Sequence, residues 1–200
     1  MTGPRLLSRQ RGAFRFAHPL HPEDTVNAYG ATQLAASFRT VRRNTTQVAQ
    51  DIPESKYDFA AAPGVISVGS LLTHIALSPA LYEDMHRVKR VDTLKGYDFG
   101  AMIGRMKTEE AKPRNKAEII ALLESEGERF AIWLGSLSPE FLAETFTDPA
   151  GENPRTRLES LLSPKEHEMH HRGQLMLIER MLGITPHLTR QMEERMRARA

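Results

Sequence analysis

The 200-residue chain contains no cysteine. Disulfide scaffolds, thiolate metal sites and cysteine nucleophiles are therefore excluded together, and any metal centre must rest on imidazole and carboxylate. The same absence fits a reducing compartment, so a cytoplasmic location is expected. Alternating apolar and polar runs with β-branched residues are scarce, which argues against a sheet-built fold. No stretch approaches the ~20 uninterrupted apolar residues of a membrane span, and no membrane partner is expected. Acids are missing from the first 22 residues, which carry Arg5, Arg9, Arg11 and Arg15.

That imbalance explains the charge. The sequence pI is about 9.0, a value that often points to nucleic acid. Residues 190–200 add Arg190, Arg195, Arg197 and Arg199 against Glu193 and Glu194, leaving 19 basic and 23 acidic residues between 23 and 189. The body is mildly acidic, with no basic face and no interleaved aromatic residues, so no nucleic-acid partner is expected. The leader lacks the apolar core of a signal peptide. Three segments are expected: a basic, disordered extension over 1–22, a folded body over 23–188 and an Arg-rich tail over 189–200.

Helical periodicity appears four times in the body. Leu34, Phe38, Val41 and Val48 form one stripe of a helix over roughly 24–50, stopped before Pro53. Ser67 is a plausible N-cap for a second helix with Val68, Leu71, Leu72 and Ile75 inside, kinked or restarted at Pro79 and running to about Lys89. Residues 91–113 read as a long connection. Asn115 with Glu118 forms a capping-box start for a third helix. A Pro- and Gly-rich link over 148–154 then leads to a last helix ending at Gly183, with competing starts at Thr156/Glu159 and Ser163-Pro164-Lys-Glu166. The second start, bent at Pro164, is the one expected, with Glu166 as the cap. An all-α four-helix bundle follows, with long connections between helices 2 and 3 and between helices 3 and 4.

Three of the eight histidines fall in Glu166-His167-Glu168-Met169-His170-His171. His167 and His171 lie four apart, about 40° around a helix, a spacing that suits two imidazoles on one ion. Their face continues as Leu175, Ile178 and Leu182, so both point inward. Two candidates complete the set. His167-Glu168-x-x-His171 matches the zincin pattern, with Glu193 or Glu194 as third ligand. Alternatively His74, inward-facing on the second helix, supplies it across the bundle and leaves an open position for water or substrate. Glu168 is the candidate catalytic base, or it orients a ligating imidazole. Arg172 reads as a surface or substrate-carboxylate contact, and Gln174 sits one turn past His170.

The string Pro63-Gly-Val-Ile-Ser-Val-Gly-Ser-Leu-Leu-Thr-His74 resembles the second-helix motif of DinB/YfiT-like proteins. His167-x-x-x-His171-Arg-Gly-Gln174-Leu with Leu182-Gly-Ile-Thr-Pro186 is similar to the last-helix signature of the same family. The resemblance covers roughly residues 24–188. It implies a four-helix bundle holding a divalent ion, zinc or nickel, on His74, His167 and His171. It further implies a homodimer and a metal-dependent enzyme of thiol-transferase or hydrolase type acting on a small molecule, such as a low-molecular-weight thiol. The contrasting expectation is a metal-stabilised stress-response or binding module without turnover. Met169, Met176, Leu177 and Met181 add apolar surface outside the histidine face, which reads as a dimer contact or as core packing within one subunit.

Overall fold

The computed structural model describes residues 29–199. In chain order its helices are α1 (Ala31–Asp51), α2 (Val68–Leu77), α3 (Ala80–Glu83), α4 (Phe99–Glu110), α5 (Lys116–Gly135), α6 (Pro139–Ala143), α7 (Arg157–Met181) and α8 (His187–Arg197). α3 runs directly into a π-helical turn over Asp84–Val88. The bundle consists of α1, α2, α5 and α7. α1 packs against α5 and α7, and α2 packs against the same two, so α1 and α2 lie on one diagonal and α5 and α7 on the other. The expected basic extension over 1–22 lies outside the described residues.

Two apolar clusters fill the bundle one above the other. Leu34, Phe38, Phe130, Trp133 and Leu161 form one; Val48, Leu72, Ile75, Leu123 and Leu175 form the other. α1 and α7 run from the first cluster to the second, while α2 and α5 run the opposite way. Between the clusters lies a single polar layer. Arg42 on α1 is buried and reaches all three other bundle helices. Its Nε donates to both Glu168 oxygens on α7 at 3.1 Å, its Nη1 to the Leu123 carbonyl on α5 at 2.9 Å and its Nη2 to the Ile75 carbonyl on α2 at 3.1 Å.

The sequence makes room for this guanidinium in two places. Pro79 has no N–H to satisfy the Ile75 carbonyl four residues earlier, and Arg42 and the Ser78 hydroxyl donate to it instead. Gly127 on α5 leaves the space through which the side chain passes: a Cβ there would stand 2.6 Å from Arg42 Cγ.

Capping residues account for most boundaries. Ser67 accepts from Ser70 N at the start of α2, and Asn115 and Glu118 close a reciprocal box at α5. α1 starts at Ala31 rather than near residue 24, with Gln33 capping the Gly30 N–H. α7 corrects the expected break at Pro164. The Thr156/Glu159 box is the start, and one helix continues through a buried Pro164. Its first turn is anchored by Arg157, which pairs with Glu144 at 2.8 Å and donates to His86, so the turns before the proline hold without its N–H. Glu166 is therefore exposed mid-helix and caps nothing.

Three further differences stand out. The connection after the second helix contains α4, capped by Asp98. A two-residue antiparallel pair, β1 (Thr145–Phe146) with β2 (Arg155–Thr156), closes the link before α7. The Arg-rich segment expected as a tail is helical from His187 to Arg197, held to α1 by Arg190–Asp51 at 2.6 Å and by the buried His187. Among the described residues no helix is long and apolar enough to cross a membrane.

Two stability outcomes follow. A glycine-to-alanine change inside a helix ordinarily gains up to about 1 kcal/mol. At Gly127 the clash with the base of Arg42 wins, and Gly127→Ala is expected to lower stability by about 1–3 kcal/mol in urea unfolding. Glu179 on α7 is fully buried, and neither carboxylate oxygen has a hydrogen-bond partner among the described residues. Burial, reinforced by the Asp51 carboxylate, pushes it up to about 7, against the pull of Arg190 and Arg180. Between its ordinary range and pH 7 the folded state binds the extra proton, so stability falls as pH rises through that window. Glu179→Gln removes this penalty. Its advantage over wild type should grow to about 2–3 kcal/mol by pH 8 and vanish below the ordinary carboxylate range; an advantage independent of pH would contradict the assignment.

Candidate metal centre

His74 is carried by α2, and His167 and His171 by α7. The structure brings the three side chains together: His167 Nε2 lies 3.2 Å from His74 Nε2 and 3.1 Å from His171 Nε2. One nitrogen from each ring falls within a 4.8 Å group, made by these three residues alone among the described ones. The outward nitrogens of two rings are engaged. His74 Nδ1 lies 2.8 Å from Glu110 Oε1 on α4, and His171 Nδ1 lies 2.8 Å from Gln174 Oε1. Both oxygens are acceptors, so each Nδ1 carries the proton and each Nε2 turns a lone pair inward.

The lone pairs of His74 and His171 both face His167 Nε2, and a cation among the three nitrogens would be held by all of them. Three nitrogens about 2.0–2.1 Å from a tetrahedral zinc ion would lie roughly 3.3 Å apart, close to the separations found here. The donor set therefore fits a divalent cation. Two of the rings, His167 and His171, are also biased toward the neutral form that ligates. Burial pulls His167 down to about 4, helped by His171, His74 and His170, and burial lowers His171, with His74 and His170 adding to it.

Glu168 is placed differently from the expectation. It is 1% exposed and turns into the bundle, where Arg42 holds both its oxygens. One step along a helix is about 100°, and here that step carries the side chain off the imidazole face and into the polar layer. A carboxylate committed to a buried guanidinium is not a free base, so its role is structural. Arg172 is half-buried and donates to the Val41 carbonyl rather than lying on the surface. His170 is exposed beside Gln174. Glu193 and Glu194 are exposed on α8 and join no group of candidate metal ligands among the described residues. Glu110 was missed by sequence reading because its helix was read as a connection.

A cleft of about 280 Å³ opens onto His74 and His167. One wall is Ser78, Leu81 and Tyr82, continuing the face of His74; the other is the α4 stripe Ile103, Met106, Lys107 and Glu110. A different pair looks catalytic at first sight: His86 Nε2 is 2.9 Å from Ser160 Oγ. Both are buried, and burial together with Arg157 and Arg155 holds His86 down near 4. A buried serine with no route to substrate is a core contact, not a nucleophile.

The fold and site together define a helical bundle with three convergent imidazoles, placed between two of its helices where they could hold a metal ion. Residues 37–175 match the model of the DinB superfamily, and the chain belongs to that superfamily. Among solved structures it is similar to YjoA, a DinB-like protein of Bacillus subtilis, at 22% identity, covering 76% of this chain and 93% of that one with a TM-score of 0.57. It is also similar to YfiT of Bacillus subtilis, described as a probable metal-dependent hydrolase with an unusual four-helix bundle topology, at 17% identity over 82% and 94% with a TM-score of 0.59. A DinB-like protein of Bacillus cereus matches at 18% identity over 77% and 93%, with a TM-score of 0.57. At these identities the likeness establishes the fold. No curated protein matches.

Glu110 yields a direct test. Glu110→Ala frees His74 Nδ1 and should weaken divalent-cation affinity about 10–100-fold in a chelator competition titration. An unchanged affinity would show that Glu110 does not orient the ring.

Proposed function

We propose that this protein is a metal-dependent enzyme of hydrolase or thiol-transferase type, acting on a small molecule held in the cleft beside His74 and His167. The observation that carries this reading is the convergence of three Nε2 atoms where two of the rings, His74 and His167, line an open cleft. His74, His167 and His171 would hold the ion, zinc or nickel on the chemistry of a three-imidazole set without thiolates. Bound there, it supplies Lewis acidity. YfiT, described as a probable metal-dependent hydrolase, supports the hydrolytic form; the sequence resemblance supports the thiol-transfer form.

The chain's own residues have definable parts. Glu110 and Gln174 accept the Nδ1 protons of His74 and His171 and so keep the inward nitrogens unprotonated. Leu81, Tyr82, Ile103 and Met106 wall the cleft and shed water from a bound substrate. Ser78 donates its hydroxyl to the Ile75 carbonyl and is not a nucleophile. A homodimer is part of the proposal, through the exposed Met169, Leu177 and Met181 of α7 with Met192 and Met196 of α8.

Metal content of purified proteins tests the site. Wild type should carry a stoichiometric divalent ion, and His74→Ala and His167→Ala should lose it. The double variant Glu193→Ala/Glu194→Ala should keep it. Full metal retention in His74→Ala would overturn the reading, and loss in the double variant would favour a zincin-like site.

A further inference from the structure

The two walls of the cleft are regular helical stripes. His74, Ser78, Leu81 and Tyr82 follow steps of four, three and one; Ile103, Met106, Lys107 and Glu110 follow steps of three, one and three. Each stripe faces its partner across the opening. Most of the lining above the imidazoles is apolar, and Lys107 is the one basic residue in it.

The basic side chains around it are already engaged. Arg87 pairs with Glu83, Lys89 and Arg105 with Asp84, Arg90 with Glu144, and Lys112 and Arg114 with Glu109. Lys116 donates to the Gln50 and Ile52 carbonyls. From Arg87 to Lys116, only the side chains of Lys95 and Lys107 have neither an ion pair nor a hydrogen bond among the described residues, and only Lys107 lines the cleft. The one acid beside it, Glu110, is taken by His74. An exposed ammonium with no counter-ion among the described residues, set one turn from the carboxylate that orients His74 and bordered by apolar walls, is complementary to a ligand with an apolar body and a negatively charged end.

We propose that the cleft takes a small amphiphilic anion, its apolar body between α3 and α4 and its anionic end on Lys107, and that Lys107 is the residue that selects the charge. The inference rests on the proposed function for what happens to the ligand's other end, which meets the imidazoles. Binding and charge selection need only the cleft. A carboxylate that went instead to the imidazole centre would not depend on Lys107, which separates the two arrangements experimentally.

The test uses three probes of one shape: 4-phenylbutyrate, 4-phenylbutan-1-ol and 4-phenylbutylamine. Binding to the full chain is followed by calorimetry, with metal content assayed on the same samples. Wild type should bind the carboxylate about tenfold more tightly than the alcohol, the scale of one charge-assisted contact. Lys107→Met should erase that preference, and Lys107→Glu should reverse it in favour of the amine. Lys95→Met, the other unpaired lysine, should behave as wild type. Ile103→Trp, which fills the mouth from an exposed position, should weaken all three probes alike. Equal binding of carboxylate and alcohol by wild type, or an undiminished preference in Lys107→Met, would overturn the proposal. Charge selection by protein shown to bind no metal would support the cleft and overturn the proposed function, so the two fail separately.

Discussion

The Arg42 guanidinium is the constraint on which the rest of the molecule is arranged. It meets α2, α5 and α7 at once from its place on α1, in the one polar layer between two apolar clusters. A charge buried this deeply is costly unless fully paired, so the four helices are held to the registry in which it is. Two of its partners immediately follow candidate ligands: Ile75 comes after His74, and Glu168 comes after His167. Fixing those neighbours from inside the bundle fixes where the preceding imidazoles point. The apolar clusters supply the stability, and the arginine supplies the registry.

Much of this was legible in the sequence, and the failures share one cause. The inward histidines, the Ser67 and Asn115 caps and the apolar stripes are local periodic signals, and they place the bundle and the three imidazoles correctly. Glu168 fails because helical geometry gives an angle but not a partner. At about 100° from His167 it was open to either face, and Arg42, distant in sequence, decided the matter. Arg42 itself carries no signal, since an arginine beside Arg39 and Arg43 in an amphipathic helix reads as surface. α4 was hidden by Gly100 and Gly104, which lower helix propensity, although Asp98 ahead of Met102 and Met106 marked its start. Pro164 was read as a break because its rule is local, while the contacts that hold the preceding turns come from Glu144 and His86.

The site divides its labour between rigid and peripheral parts. The three imidazoles sit on α2 and α7, two of the three bundle helices that Arg42 reaches, whereas the residue that fixes the His74 tautomer comes from α4, outside the bundle. The acid inside the histidine pair, the obvious base by pattern, serves the fold. The less obvious acid, Glu110, far in sequence from the histidine pair, meets the His74 ring.

α4 thereby belongs to two equilibria at once. Its Ile103 and Met106 wall the cleft, and its last residue, Glu110, holds His74. Any ligand that favours the docked position of this helix must tighten the grip of the imidazoles on a cation, and a cation on His74 must tighten the cleft on its ligand by the same factor, because linkage is reciprocal. A helix that looks like a mere connector is therefore the place where occupancy of the centre and occupancy of the cleft become one variable.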